Sequence, residues 1–151
     1  MIQFQVETWA DLERDGSEIF KVHYDELALH KEAMPMGLDS ACYADLEKKH
    51  CLLVVTARRN GKLVGYYMGI VIDHHPHNKD GGKVSTTDFF YILPEHRRGG
   101  AGVKLLIAAT EELRKCGVKK ATISTKLKFS NRELMESLGW EATDIVFQRI
   151  L

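Results

Sequence analysis

Charge of one sign is what this chain lacks most plainly: Lys plus Arg and Asp plus Glu both total 21, so the formal net charge is zero. A domain that tracks nucleic acid or an anionic membrane carries a clear basic excess, so neither partner is expected. Cysteine is scarce too. Cys42, Cys51 and Cys116 make an odd count with no C-x-x-C spacing, which excludes a disulfide framework and a zinc knuckle and suits reduced thiols in a cytoplasmic setting. Long apolar runs are missing: the longest, from Tyr66 to Ile72, falls far short of the roughly 20 residues that a bilayer span needs. The opening residues, MIQFQVETWADLERD, lack the basic and apolar regions of an export signal. Three prolines leave room for regular elements, and no repeat or low-complexity tract interrupts them.

What is there is ordinary for a globular chain, with 44% hydrophobic and 28% charged residues in 151, a length that predicts one domain spanning 1–151. Alternation in IQFQV predicts a first strand. Thr8 followed by Asp11 reads as a capping box for a helix beginning near Trp9. Leu12, Ile19, Phe20, His23 and Leu27 continue that helix, with Gly16 on the stripe as a place where it bends or breaks. Pro35 and Gly37 mark a connection, after which Asp39 or Ser40 caps a second helix running to about His50. Asn60-Gly61 between two β-rich runs predicts a hairpin of strands Leu52 to Arg58 and Leu63 to Ile72. Beyond the polar loop HHPHNKDGGK, a third strand runs toward Pro94. The three histidines of that loop lack a cysteine partner and read as solvated rather than metal-binding. A helix from Ala101 to about Lys115 ends at Gly117. A strand in VKKATISTK, a short helix capped by Ser130 and stopped by Gly139, and a terminal strand DIVFQRIL complete the order βααβββαβαβ. That order predicts an α/β or α+β domain with a mixed sheet.

One junction concentrates chemistry. YILPEHRRGGAGVKLL sets two arginines and three glycines between a strand and a helix. The start of a helix leaves about four N–H groups without internal partners and carries partial positive charge, so it attracts anions. Glycines admit an anion close to the backbone, and arginine adds charge-assisted bonds, which together suit a diphosphate. The dinucleotide fingerprint fails because Leu105 stands where its third glycine belongs, and the nucleotide-triphosphate loop fails because Val103 separates Gly102 from Lys104. A plain turn is the bland alternative.

The run Arg97-Arg98-Gly99-Gly100-Ala101-Gly102 resembles the R/Q-x-x-G-x-G/A motif of the GNAT superfamily of acyl-CoA N-acyltransferases, and the element order resembles that family over most of the chain. The resemblance implies a GNAT-type, mostly antiparallel mixed sheet flanked by helices, with a shortened C-terminal strand region. It implies acetyl-CoA as co-substrate and a small amine, or a peptide or protein amine, as acceptor, and leaves a homo-oligomer open. By the same resemblance the CoA diphosphate falls to Arg97, Arg98, Gly99, Gly100, Ala101, Gly102 and Val103. Pantetheine pairs with the backbone of Ile92 and Leu93, where an unpaired amide polarises the thioester, and Asn131 at the start of the last helix is a further contact. Family members often draw a base from the strand before the motif. Asp88, four residues before Ile92 and on the same face by alternation, is the candidate, with a solvated carboxylate as the alternative. The tyrosine that many relatives use to protonate the departing thiolate falls on Met135, which cannot donate a proton. Tyr24, His30, Met34 and Met36 fall where relatives bind the acceptor. The reading is therefore an N-acetyltransferase, with two alternatives: a CoA-binding or structural module of the same fold that has lost turnover, and a toxin-like member acting on aminoacyl-tRNA.

Overall fold

A computed structural model describes residues 1–129 and 131–151 of the chain. The elements follow in the order β1 (Ile2–Val6), α1 (Trp9–Leu27), α2 (Ser40–Lys48), β2 (Leu52–Arg59), β3 (Lys62–Ile72), β4 (Val84–Ile92), α3 (Ala101–Lys115), β5 (Lys120–Thr122) and α4 (Arg132–Ser137). The five strands form one sheet in chain order. The first four are antiparallel neighbours, and β5 joins β4 in parallel.

Local chemistry accounts for most of the boundaries. Thr8 caps α1 by accepting the Asp11 amide at 3.1 Å, and Asp39 caps α2 by accepting the Cys42 amide at 2.9 Å. Asn60 and Gly61 both take positive φ, 51° and 78°, as a two-residue hairpin turn with the right twist requires. Gly16 does not break α1. The helix is continuous, and the glycine makes room for the Phe20 ring, whose Cζ lies 2.4 Å from where a Cβ would stand.

Two apolar layers hold the sheet. On one face Trp9, Leu12, Ile19 and Phe20 of α1 pack on Val54, Tyr66, Met68 and Tyr91. On the other, Ala101, Leu105, Ala109 and Leu113 of α3 pack on Leu53, Val55, Tyr67, Val71 and Ile92. Each large aliphatic or phenylalanine side chain among these, buried fully, contributes on the order of 1.5–3 kcal/mol.

The expected terminal strand is a correction. Residues 141–151 form no ladder, and Ile145, Val146 and Phe147 stand exposed. DIVFQRIL has the composition of a strand, but a strand exists only when a neighbour supplies hydrogen bonds, and β5 pairs over just three residues. The expected cap Ser130 lies outside the described residues.

Candidate active site

The sheet opens where the site is. β4 and β5 pair from Val84↔Lys120 to Thr86↔Thr122 and then part, so the edge of β4 from Thr87 to Ile92 has no strand beside it on that side. Which backbone groups face this gap follows from the β3 register. Leu93 donates its N–H to Val64 at 2.9 Å, and its carbonyl accepts from His96 at 2.9 Å, so both of its polar groups are spent inside the protein. Alternation then turns the N–H and C=O of Phe90 and the N–H of Ile92 outward into the gap, while the outward Ile92 carbonyl accepts from Arg97 Nε at 2.9 Å. The edge expected at Ile92 and Leu93 is thus formed by Ile92 and Phe90.

β4 also carries a bulge. Met68 faces Phe89 and Gly69 faces Thr87, so Asp88 is an extra residue without a partner in β3. The bulge overturns the expectation that Asp88 shares a face with Ile92. Ile92 belongs to the layer under α3, whereas the Asp88 carboxylate reaches α2 and accepts the Tyr43 hydroxyl at 2.7 Å. Gly69, one of two glycines inside β3, stands opposite this bulge and was the sequence signal for it.

At the other end of the gap lies the glycine loop. Gly99 and Gly100 both adopt left-handed backbone, φ 79° and 75°, which L side chains rarely take. That pair turns the chain into α3. The first intrahelical bond runs from Lys104 to Gly100, 3.0 Å, leaving the amides of Ala101, Gly102 and Val103 without a carbonyl in the helix. Gly102 has an ordinary helical backbone, and a Cβ there would meet only the Phe90 ring, at 3.7 Å. The protein itself does not require a glycine at this position. Bare backbone there leaves room for a group approaching the helix start from outside, which is the fit expected of a diphosphate.

The two arginines divide. Arg98 is exposed and, among the described residues, makes no hydrogen bond or ion pair. Arg97 is engaged elsewhere: its guanidinium forks onto Glu26 of α1 at 2.7 and 2.6 Å, donates from Nε to the Ile92 carbonyl at 2.9 Å, and lies 5.1 Å above the Tyr91 ring. The expected diphosphate contact of Arg97 is therefore corrected to a brace between α1 and β4. The guanidinium holds the Glu26 carboxyl below its ordinary range, and Glu26 also accepts the Tyr91 hydroxyl. No local pattern announces Glu26, which meets Arg97 only through the fold.

Beside this brace His23 stacks on Tyr91, ring centroids 4.3 Å apart, and shares a 2.6 Å hydrogen bond between Nδ1 and the Tyr66 hydroxyl. Burial pushes the imidazole down to about 4, against the pull of Glu26. The sign for stability follows. Above pH 6.5 the ring is neutral folded or unfolded. Below it the unfolded chain takes a proton that the folded chain refuses until about pH 4, so stability falls as the pH drops through that window. The slope is at most about 1.4 kcal/mol per pH unit. Carboxylates such as Glu26 add their loss only below their ordinary range near 4.5. Melting temperatures from pH 7 to 4.5 are expected to decline in the parent and to stay nearly flat in His23→Phe; equal slopes would remove His23 as the source.

The remaining expected residues lie on α1, on the loop after it and on α4. Asn131 is exposed at the N-terminal boundary of α4 and caps it with no side-chain bond. Met135 is buried, 8% exposed. Tyr24 donates to the Met34 carbonyl at 2.9 Å and ties down its own loop, while His30, Met34 and Met36 stay exposed. Among the described residues, no group of three His, Cys, Asp or Glu side chains could hold a metal, and no helix is long and apolar enough to cross a membrane.

Several solved structures share this shape at low sequence identity. An acetyltransferase from Trypanosoma brucei superposes with a TM-score of 0.73 at 19% identity, each chain covering 100% of the other. A predicted acetyltransferase with acetyl-CoA from Clostridium acetobutylicum gives 0.73 at 15%, covering 99% of this chain and 96% of its own. A ribosomal-protein-alanine N-acetyltransferase from Brucella melitensis gives 0.72 at 16%, with 99% and 98% covered. No curated protein matches the chain in sequence. At these identities the likeness speaks for the fold, but the model of the acetyltransferase (GNAT) family matches residues 9–140, a span that holds the forked sheet, the bulge and the glycine loop. The chain belongs to that family, whose co-substrate is acetyl-CoA.

Proposed function

We propose that the chain transfers the acetyl group of acetyl-CoA to a primary amine by direct attack within a ternary complex. The observation that carries this reading is a set of three features along β4 and α3: a glycine loop with free helix amides, a strand edge with no neighbouring strand, and a carboxylate residue at the bulge where the sheet forks. Arg98 and the amides of Ala101, Gly102 and Val103 would hold the diphosphate, with Gly99 and Gly100 shaping the turn. Phe90 and Ile92 would pair with pantetheine. Acetyl-CoA supplies an activated acyl group, and this chain supplies position and proton transfer. Asp88 takes a proton from the ammonium form of the acceptor, which approaches from the α1 and α2 side. The freed amine then attacks the thioester carbonyl, an outward amide of the β4 edge favours charge on its oxygen, the carbon–sulfur bond breaks, and the new amide nitrogen sheds its second proton to water. With Met135 at the relatives' tyrosine position, the thiolate leaves unaided, tolerable for a thiol pKa near 8.5. The acceptor is a small amine or a peptide amine, and the free cysteines suit a cytoplasmic setting.

Buried Met135 motivates a second reading, a module that binds CoA without turnover. Incubation of the protein with acetyl-CoA and a panel of amines and peptides separates the two, free thiol being the readout. We expect acceptor-dependent thiol release, and a rise in melting temperature corresponding to about 2.7 kcal/mol at a hundredfold excess over Kd. A thermal shift with no release for any acceptor would favour the module, and no shift at millimolar acetyl-CoA would sink both.

A further inference from the structure

Tyr43 has no sequence signature, yet the fold carries it to the fork. It sits in the first turn of α2, where its amide bonds the Asp39 carbonyl at 3.1 Å. Its ring packs on Trp9 at 4.5 Å, tilted by 31°. Trp9 is itself anchored to α2, its indole N–H on Ser40 Oγ at 3.1 Å and its backbone N–H on Glu47 Oε1 at 2.7 Å. The phenol is thus delivered by a braced helix rather than a mobile side chain, and it donates to Asp88 Oδ2 at 2.7 Å. Burial, with Asp88 second, pushes the phenol above its ordinary range, so it stays a donor throughout any assay. Among the described residues no cation pairs with Asp88, and Oδ1 makes no hydrogen bond.

We propose that Tyr43 is a positioning residue for the acetyl transfer: its hydroxyl pins Oδ2 of Asp88 and leaves Oδ1 as the atom that receives the acceptor's proton. This rests on the reading of Asp88 as the base. The terminal torsion of an aspartate is broad and two-fold, so an untied carboxylate samples many orientations, and proton transfer needs one of them. Removing the hydroxyl should therefore cost rate, and cost less as the pH rises and the amine arrives already deprotonated. Other charged or titratable groups on this side of β4 are His23, Glu26, Cys42, Tyr66, Tyr91, Arg97 and Lys126. His23 is neutral above about pH 4, Glu26 is held ionised by Arg97, and burial pushes both tyrosines up.

The test is a double-mutant cycle with pH profiles. Acetyl-CoA titrations, melting temperatures and kcat/KM for one amine that the parent acetylates are measured from pH 5 to 9 for the parent, Tyr43→Phe, Asp88→Asn and the pair. Phenylalanine keeps the ring against Trp9, so the fold should stand. Tyr43→Phe is expected to lower kcat/KM at neutral pH about tenfold, with the deficit shrinking as the pH rises. Acetyl-CoA affinity should stay within about twofold, and in the Asp88→Asn background the second substitution should cost nothing further. A full additional loss in that background, or a parental rate at neutral pH, overturns the assignment of Tyr43 while leaving Asp88 as the base. Parental activity in Asp88→Asn overturns both.

Discussion

Replacement of Gly102 by valine is expected to abolish acetyl-CoA binding while leaving the protein at least as stable as the parent. The two halves of this expectation come from different features of one residue. Gly102 lies in the first turn of α3 with ordinary backbone geometry, and a Cβ there finds only the Phe90 ring at 3.7 Å. Valine is also a better helix former than glycine by a few tenths of a kcal/mol, so folding has nothing to lose. Outside the protein the situation reverses. The Ala101, Gly102 and Val103 amides are the free donors of the loop, and branched methyl groups on the middle one stand where an anion must come to reach them. We expect at least a hundredfold loss of affinity, about 2.7 kcal/mol, by calorimetry, with circular dichroism and melting temperature unchanged or slightly raised. Gly100→Val would be a poorer experiment, because its φ of 75° adds backbone strain and confounds folding with binding. A folded Gly102→Val protein that bound acetyl-CoA like the parent would place the diphosphate somewhere other than this helix start.

The parts of the architecture that were readable in the sequence are those decided by neighbours along the chain. Capping by Thr8 and Asp39, the Asn60-Gly61 turn and the bounds of α3 all rest on contacts within a few residues, and the motif at the start of α3 is contiguous. The terminal run DIVFQRIL has the right residues for a strand and lacks a ladder, because pairing is a property of two segments and composition describes one. Face assignment failed for a related reason. Counting by twos from Ile92 back to Asp88 assumes a regular strand, and one bulge residue reverses the answer. The roles of Arg97 and Leu93 were set by partners invisible locally, Glu26 for one and Val64 for the other. Arginine beside a glycine loop suggests an anion, yet a carboxylate brought in by α1 takes the guanidinium first. What the sequence did indicate at the site was the kind of ligand; that Arg97 is taken by Glu26 while Arg98 stays exposed required the fold.

The bulge that moved Asp88 off the Ile92 face also makes the second large effect a sharper test of its role. Asp88→Asn is expected to keep acetyl-CoA affinity and lower kcat/KM for the acceptor about a hundredfold or more, the usual weight of general-base assistance. Asparagine preserves the shape, and its side-chain oxygen can still accept from the Tyr43 hydroxyl, so the hydrogen bond at 2.7 Å in the parent survives in kind. What is lost is basicity alone. The defect should therefore shrink as the pH rises, because a primary amine near pKa 10 then arrives increasingly deprotonated and the base has less to do. A structural role makes a different forecast. Asp88 is exposed and tied only to Tyr43 among the described residues, so a weaker bond to a neutral amide oxygen would loosen α2 against β4, lowering the melting temperature with no convergence of rates at high pH. Profiles of kcat/KM from pH 6 to 10 with one slow acceptor, beside acetyl-CoA titrations and melting curves, separate the two. Converging profiles with unchanged affinity and stability identify the carboxylate as the base. Parallel profiles, or parental activity at neutral pH, would remove Asp88 from that role and leave a water relay or a group on the acceptor to take the proton.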